Sequence, residues 1–130
     1  MTLRGEYLER ESAAWRELQG ALDEGRDAFG WSTSAVAGHV AYWVDRAADA
    51  IESIGAGTYE PTAFATDVDA ENDRLLPAWD AMPVGEARAA LDTARGRLVA
   101  AWTALEDPTD EAAEWFAGDG FEHYEEHVGG

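Results

Sequence analysis

The stretch from Ser32 to Ile54 constrains this chain most. Val36, Val40, Trp43, Ala47, Ile51 and Ile54 recur at spacings of three and four. That rhythm places all six on one face of an α-helix and cannot serve a strand, where alternate residues share a face. Ser32 is the N-cap candidate, with Thr33 and Ser34 as competitors, and the glycines of IGAGTYEP end the segment. A long helix with one apolar stripe has to bury it against other helices. The rest of the chain offers them.

Upstream, Tyr7, Leu8, Trp15, Leu18 and Leu22 predict a first helix over about 6–29, turned by the glycines of DEGRDAFGW. Downstream, 55–66 reads as a connection containing Pro61. A third helical region starts near Asp67 and carries Asn72, Leu75, Leu76 and Trp79. The AMP triplet at 81–83 either kinks it or divides it, because proline lacks a backbone donor yet suits the first turn of a new helix. Val84, Ala87, Leu91, Ala94, Leu98, Trp102 and Leu105 continue the helical period. After the break EDPTD, EAAEWF is expected to form a short turn packing Trp115 and Phe116. AGDG follows, with Asp119 as a candidate cap for a last helix over about 120–128 that buries Phe121, Tyr124 and Val128. No internal repeat and no alternating strand pattern is present. The expectation is all-α: a four-helix bundle forming a single domain over residues 1–130.

The charge narrows the function classes. Twenty-seven acidic residues face 9 basic ones, all arginine, for a formal net charge of −18. Such a field repels nucleic-acid backbones and anionic membranes, so neither is an expected partner. It suits a solution in which salt screens the carboxylates from one another, as in a halophile's cytoplasm, although a codon bias favouring Ala, Arg, Gly, Asp and Glu gives the same composition. With 46% hydrophobic residues, the chain is rich enough in apolar side chains to fold. No membrane-length apolar run or signal-peptide core is visible, which sets a cytoplasmic expectation. Cysteine is absent, so a metal would need nitrogen and oxygen ligands.

Three histidines are the whole supply: His39, His123 and His127. His123 and His127, four apart in FEHYEEH, share a helix face and can meet a common atom. His39 flanks the apolar stripe of the second segment and can point into the bundle. Three imidazoles from two packed helices suit zinc, nickel or ferrous iron and leave a coordination position for water or substrate. The plainer role for each is a satisfied, partly buried or solvent-facing imidazole.

The stretch GWSTSAVAGHVAYWVDRAAD, 30–49, resembles the Gly-Trp-Ser/Thr…His…Trp helix of the DinB/YfiT-like metalloenzyme superfamily. WFAGDGFEHYEEH, 115–127, is similar to the closing aromatic-x-His-Tyr-x-x-His element of that family, and DVDAENDRLL, 67–76, to its third helix. The resemblance is thin over 1–29. It implies an up-down-down-up four-helix bundle and a divalent metal held by His39, His123 and His127. It also implies kinship with thiol-dependent S-transferases and isomerases. The expected partners are thus a small-molecule substrate and a low-molecular-weight thiol, with homodimers as in related bundles.

A metal on three neutral rings keeps its full charge and can lower the pKa of water or thiol, which points to S-transfer or hydrolysis. Around it, Asn72 can donate to substrate and Asp69 can serve as a general base, although a solvated surface place is the ordinary one for an aspartate here. Trp31, Trp43 and Tyr124 are pocket-lining candidates. Packing is the competing role for the tryptophans, and Tyr124 is also placed to pack in the core with its hydroxyl partnered. Glu122, Glu125 and Glu126 bracket the histidines but mostly point away from them. His127 stands three residues from the end of the sequence. Its turn is therefore expected to fray or to be covered by a neighbouring subunit. The other functional class is a non-catalytic bundle that binds a small ligand or serves in stress response.

Overall fold

A computed structural model describes residues 2–129. Its organising element is helix α2, Thr33–Ala56. The Ser32 hydroxyl accepts the Ala35 N–H at 3.1 Å, and Gly57 ends the helix in the left-handed region at φ 75°. Capping and termination thus follow the sequence signals. The stripe is wider than the spacing predicts, for every residue from Ser34 to Ala41 is buried. The helix is enclosed on several sides instead of lying on one.

Helix α1, Leu3–Glu24, stops short of the predicted 29. Gly25 adopts φ 68°, and the N–H of Arg26 returns to the Ala21 carbonyl. This left-handed closure ends the helix before the DAF triplet can extend it. Helix α3 covers Val68–Ala81, capped by Asp67 and carrying Pro77 inside it. Met82 and Pro83 then leave the helical region, and α4 begins afresh at Val84, running to Ala104. Pro83 is the residue before the first turn, so the 67–105 region is two helices and not one kinked helix.

Beyond the break lie α5, Asp110–Phe116, a widened turn over Ala117–Phe121, and α6, Glu122–Val128. Thr109 caps α5. The expected capping of the last helix by Asp119 does not occur, because α6 starts from Phe121 in helical conformation with no side-chain cap. The Pro61–Phe64 stretch, read as plain connection, forms a single tight turn. The described residues contain no strand; the chain is all-α.

Cross-helix pairs fix which elements meet. Between α1 and α4, Arg4 donates to the carbonyl of Leu105, the residue that closes α4, while Glu11 pairs with Arg95 and Asp23 with Arg88. On α2 and α4, Arg97 reaches Asp45, Asp49 and Glu52, and Gly55 faces Leu105. On α2 and α3, Ser32 meets Asp80, Gly38 meets Trp79, and Tyr42 meets Glu71. From α1, Tyr7 packs on Phe121 in the turn just before α6, and Glu11 accepts from Tyr124 on α6. The core between them holds Leu18, Val40, Ile51, Leu91, Leu98 and Trp102. Fully buried Phe116 and Phe121 contribute about 2–3 kcal/mol each by area removed from water.

One glycine is needed for close approach. A Cβ at Gly38 would stand 2.8 Å from the Trp79 ring, so α3 can lie against α2 only because that position is bare. Trp79 in turn backs the ring of His39, with centroids 5.3 Å apart.

Candidate metal centre

The three histidines come together. His39 from α2 and His123 and His127 from α6 bring ring nitrogens within 4.8 Å of one another, and all three residues are buried. The Nε2 atoms of His39 and His123 lie 2.9 Å apart, so one ring donates a hydrogen bond to the other. Zinc–nitrogen bonds of about 2.0–2.1 Å at tetrahedral angles would separate two ring nitrogens by about 3.3 Å. A shift of a few tenths of an ångström therefore converts the hydrogen-bonded pair into two ligands.

Burial suits the rings to this task. It lowers the pKa of His39 to about 4, with repulsion from His127 adding to the effect and the nearby Asn72 side chain and Asp27 opposing it. His123 is lowered to about 3, again by burial first and then by its two imidazole neighbours. Both rings are neutral at pH 7, the form a metal binds, and neither has to release a proton to solvent. The ring that donates in the Nε2–Nε2 bond must, however, carry its proton on Nδ1 instead to become a ligand. Their Nδ1 atoms are buried without a hydrogen-bond partner. Asn72 sits beside His39 without the alignment of a hydrogen bond.

His127 is held differently. Its Nδ1 lies 2.8 Å from Asp27 Oδ1, and the two side chains are 2% and 1% exposed. The other carboxylate oxygen of Asp27 accepts the N–H groups of Phe29 and Trp31, both at 3.1 Å. Asp27 thus fixes the α1–α2 loop and the imidazole together. With Nδ1 donating to the carboxylate, Nε2 is the nitrogen free for an ion, and the carboxylate raises its basicity. The Ala28 N–H also bonds the His127 carbonyl at 2.9 Å. The expected fraying of this turn is therefore not what the described residues display: the loop after α1 ties it down.

Asp27 was not singled out by the sequence, where the glutamates beside the histidines drew attention. Of these, Glu125 pairs with Arg10 at 3.0 Å and Glu122 is exposed. No periodicity marks a loop aspartate among 27 acidic residues. The one legible hint was its place at the head of DAFGW, where an aspartate readily turns the backbone.

Beside the rings lies a cavity of about 350 Å³. Trp31 and Trp43 line it, as do the two proposed polar residues, Asp69 and Asn72. The Asn72 oxygen accepts the Trp43 indole N–H at 2.8 Å, which leaves the amide NH₂ as the donor it can offer. Asp69 is exposed at the rim. Tyr124 does not line the cavity. It is fully buried on another face of α6, edge-on to Trp15, and donates to Glu11 at 3.2 Å. Lying one position past His123, it faces the core when the histidines face the site.

The described residues thus provide three nitrogen donors and one orienting carboxylate, able to hold a divalent ion. Among these residues no helix is long and apolar enough to cross a membrane. Compared with known proteins, the chain matches no family model, no curated protein and no solved structure.

Proposed function

We propose that this chain is a DinB/YfiT-like metalloenzyme that binds one divalent ion at His39, His123 and His127 and acts on a small molecule. The convergence of three buried rings within 4.8 Å, drawn from helices more than eighty residues apart in sequence, carries the reading. Three imidazole nitrogens with one orienting carboxylate match the donor set of zinc, nickel or ferrous iron and disfavour magnesium or calcium.

The helix pairings support the family's topology. Contacts between α1 and α4 run in opposite sequence directions, whereas those of α2 with α4 and of α1 with α6 run in the same direction. Taking α1, α2, α4 and the α5–α6 pair as the four members gives up-down-down-up, with α3 inside the long crossover. The 67–76 segment then belongs to the crossover and not to the third bundle helix.

When bound, the ion supplies Lewis acidity that makes water or a thiol nucleophilic near neutral pH. The chain's own groups do the rest. Asp27 holds His127 in one tautomer, the Asn72 amide offers a donor to a substrate carbonyl or leaving group, and Trp31 and Trp43 exclude water from one side. Asp69 at the rim is placed to take up a proton released into the cavity. Thiol-dependent S-transfer is the leading reaction and hydrolysis the other.

The test is metal analysis of the untagged protein, followed by zinc, nickel and ferrous titrations of the wild type and His39→Ala. One equivalent in the wild type and loss of high-affinity binding in the variant are expected. Substoichiometric metal that His39→Ala leaves unchanged removes the basis of the enzyme reading and favours a non-catalytic ligand-binding bundle. Turnover of electrophiles with cellular thiols is then assayed on the loaded protein.

A further inference from the structure

The cavity beside the histidines has a polarity that the ion alone does not explain. Its walls present the rings of Phe29, Trp31 and Trp43, and Val68 adds an apolar edge. Phe29 is 59% exposed and Val68 49% exposed, so both are open to contact with a ligand. Two carboxylates, Asp69 from α3 and Glu126 from α6, complete the lining. Among the described residues neither is engaged in a hydrogen bond or ion pair, whereas Glu71 and Glu125, their neighbours in sequence, are held by Arg74 and Arg10. No arginine lines the cavity. Arg46, one turn along α2 from Trp43, stacks on Phe64, donates to the Phe64 carbonyl and lies 5.8 Å from the Trp43 ring centroid. It is thus a neighbouring cation outside the lining, and Phe29 and Trp31 are the aromatic side chains of the cavity that no arginine covers.

Aromatic faces attract cations through their quadrupole, and unpaired carboxylates add attraction of the same sign. In the metal-free cavity an anionic ligand faces the Asp69 and Glu126 carboxylates and has the Asn72 amide to donate to it. We infer that the cavity selects small molecules with an apolar body and an organic cation, a primary amine or quaternary ammonium, lodged between the aromatic wall and Asp69 and Glu126. The volume, about 350 Å³, fits a small ligand of this kind. The assignment of the reacting end to the histidines rests on the metal-site reading, but recognition of the cation does not need the ion.

The experiment titrates benzyltrimethylammonium, benzyl alcohol and phenylacetate into the metal-free and the zinc-loaded chain, read by tryptophan fluorescence and calorimetry. High salt is used throughout, so that the overall charge of −18 does not collect cations indiscriminately. In the metal-free chain the ammonium should bind about tenfold more tightly than the alcohol, and phenylacetate not at all. Asp69→Asn with Glu126→Gln should erase that preference and leave benzyl alcohol unchanged. The distant pair Glu17→Gln with Glu114→Gln should leave it intact. Equal binding of ammonium and alcohol, no saturable binding of the ammonium, or equal loss in the distant pair overturns the inference. Zinc uptake is read separately. Cation preference without zinc uptake refutes the metal site alone, and zinc uptake without cation preference refutes this inference alone.

Discussion

Replacing Asp27 by asparagine tests the site more sharply than removing a ligand. In the wild type one carboxylate oxygen takes two backbone N–H groups of the loop and the other takes His127 Nδ1 at 2.8 Å. Asparagine can keep its oxygen on the loop, but it then turns an NH₂ toward the imidazole. Nδ1 becomes the acceptor, the ring proton moves to Nε2, and the nitrogen meant for the ion is capped. Regaining the ligand requires breaking the new hydrogen bond inside a pocket where the aspartate is 1% and His127 2% exposed.

Loss of such an outer partner weakens metal binding about 10–100-fold, or about 1.4–2.7 kcal/mol. Stability of the metal-free chain should fall less, by about 1 kcal/mol, since one charge-assisted bond gives way to a neutral one. Zinc affinity is measured by chelator competition, and urea unfolding of the metal-free protein gives the stability. Asp27→Asn that binds zinc as tightly as the wild type refutes the argument that Asp27 orients a ligand. A drop in affinity matched by an equal drop in metal-free stability reduces Asp27 to a loop anchor.

Three further perturbations probe what surrounds the site. Gly38→Ala places a methyl 2.8 Å from Trp79, so urea unfolding should report a loss of about 1–3 kcal/mol from overpacking; an unchanged midpoint means α3 yields freely. Glu11 is fully buried and held by Arg95 at 2.6 Å and by Tyr124, and Glu11→Ala should lose about 3 kcal/mol or more in the same assay because it strands a guanidinium that is 29% exposed. His39 and His123, lowered to about 4 and about 3, bind fewer protons folded than unfolded, so their share of stability is complete above about pH 6.5 and is withdrawn as pH falls toward those values. For His39 this amounts to about 3 kcal/mol, and metal-free His39→Ala should lose stability less steeply than the wild type between pH 6.5 and 4; parallel curves refute it.

The helices and the ligands were legible because both rest on spacing. A period of 3.6 shows in six residues of α2 and places His39 beside the stripe, and the four-residue step sets His123 and His127 on one face. Boundaries were less legible. The left-handed turn at Gly25 ends α1 where a count of apolar residues continues to Phe29, since closure depends on the backbone of one residue. Asp27 and Glu11 escaped for another reason. Each acts through a partner about a hundred residues away, His127 and Tyr124 respectively, and no local pattern separates them from the other carboxylates.

That asymmetry has a physical root in α6. A helix of seven residues cannot hold its own shape in water, so its geometry is imposed by what it touches. On one face Tyr124 is fastened to Glu11, which Arg95 fixes from α4; beside it Glu125 meets Arg10; at its end Asp27 and Ala28 grip His127. Each of these contacts comes from α1, α4 or the loop after α1, whereas the segment around His39 meets α6 through the histidine rings themselves. The motif therefore specifies which atoms meet the ion, while the distance between them is set by ordinary-looking residues at the other end of the chain. A search for the centre by histidine spacing finds the ligands, but a change that spoils the centre can lie at Glu11, where the sequence offers no warning.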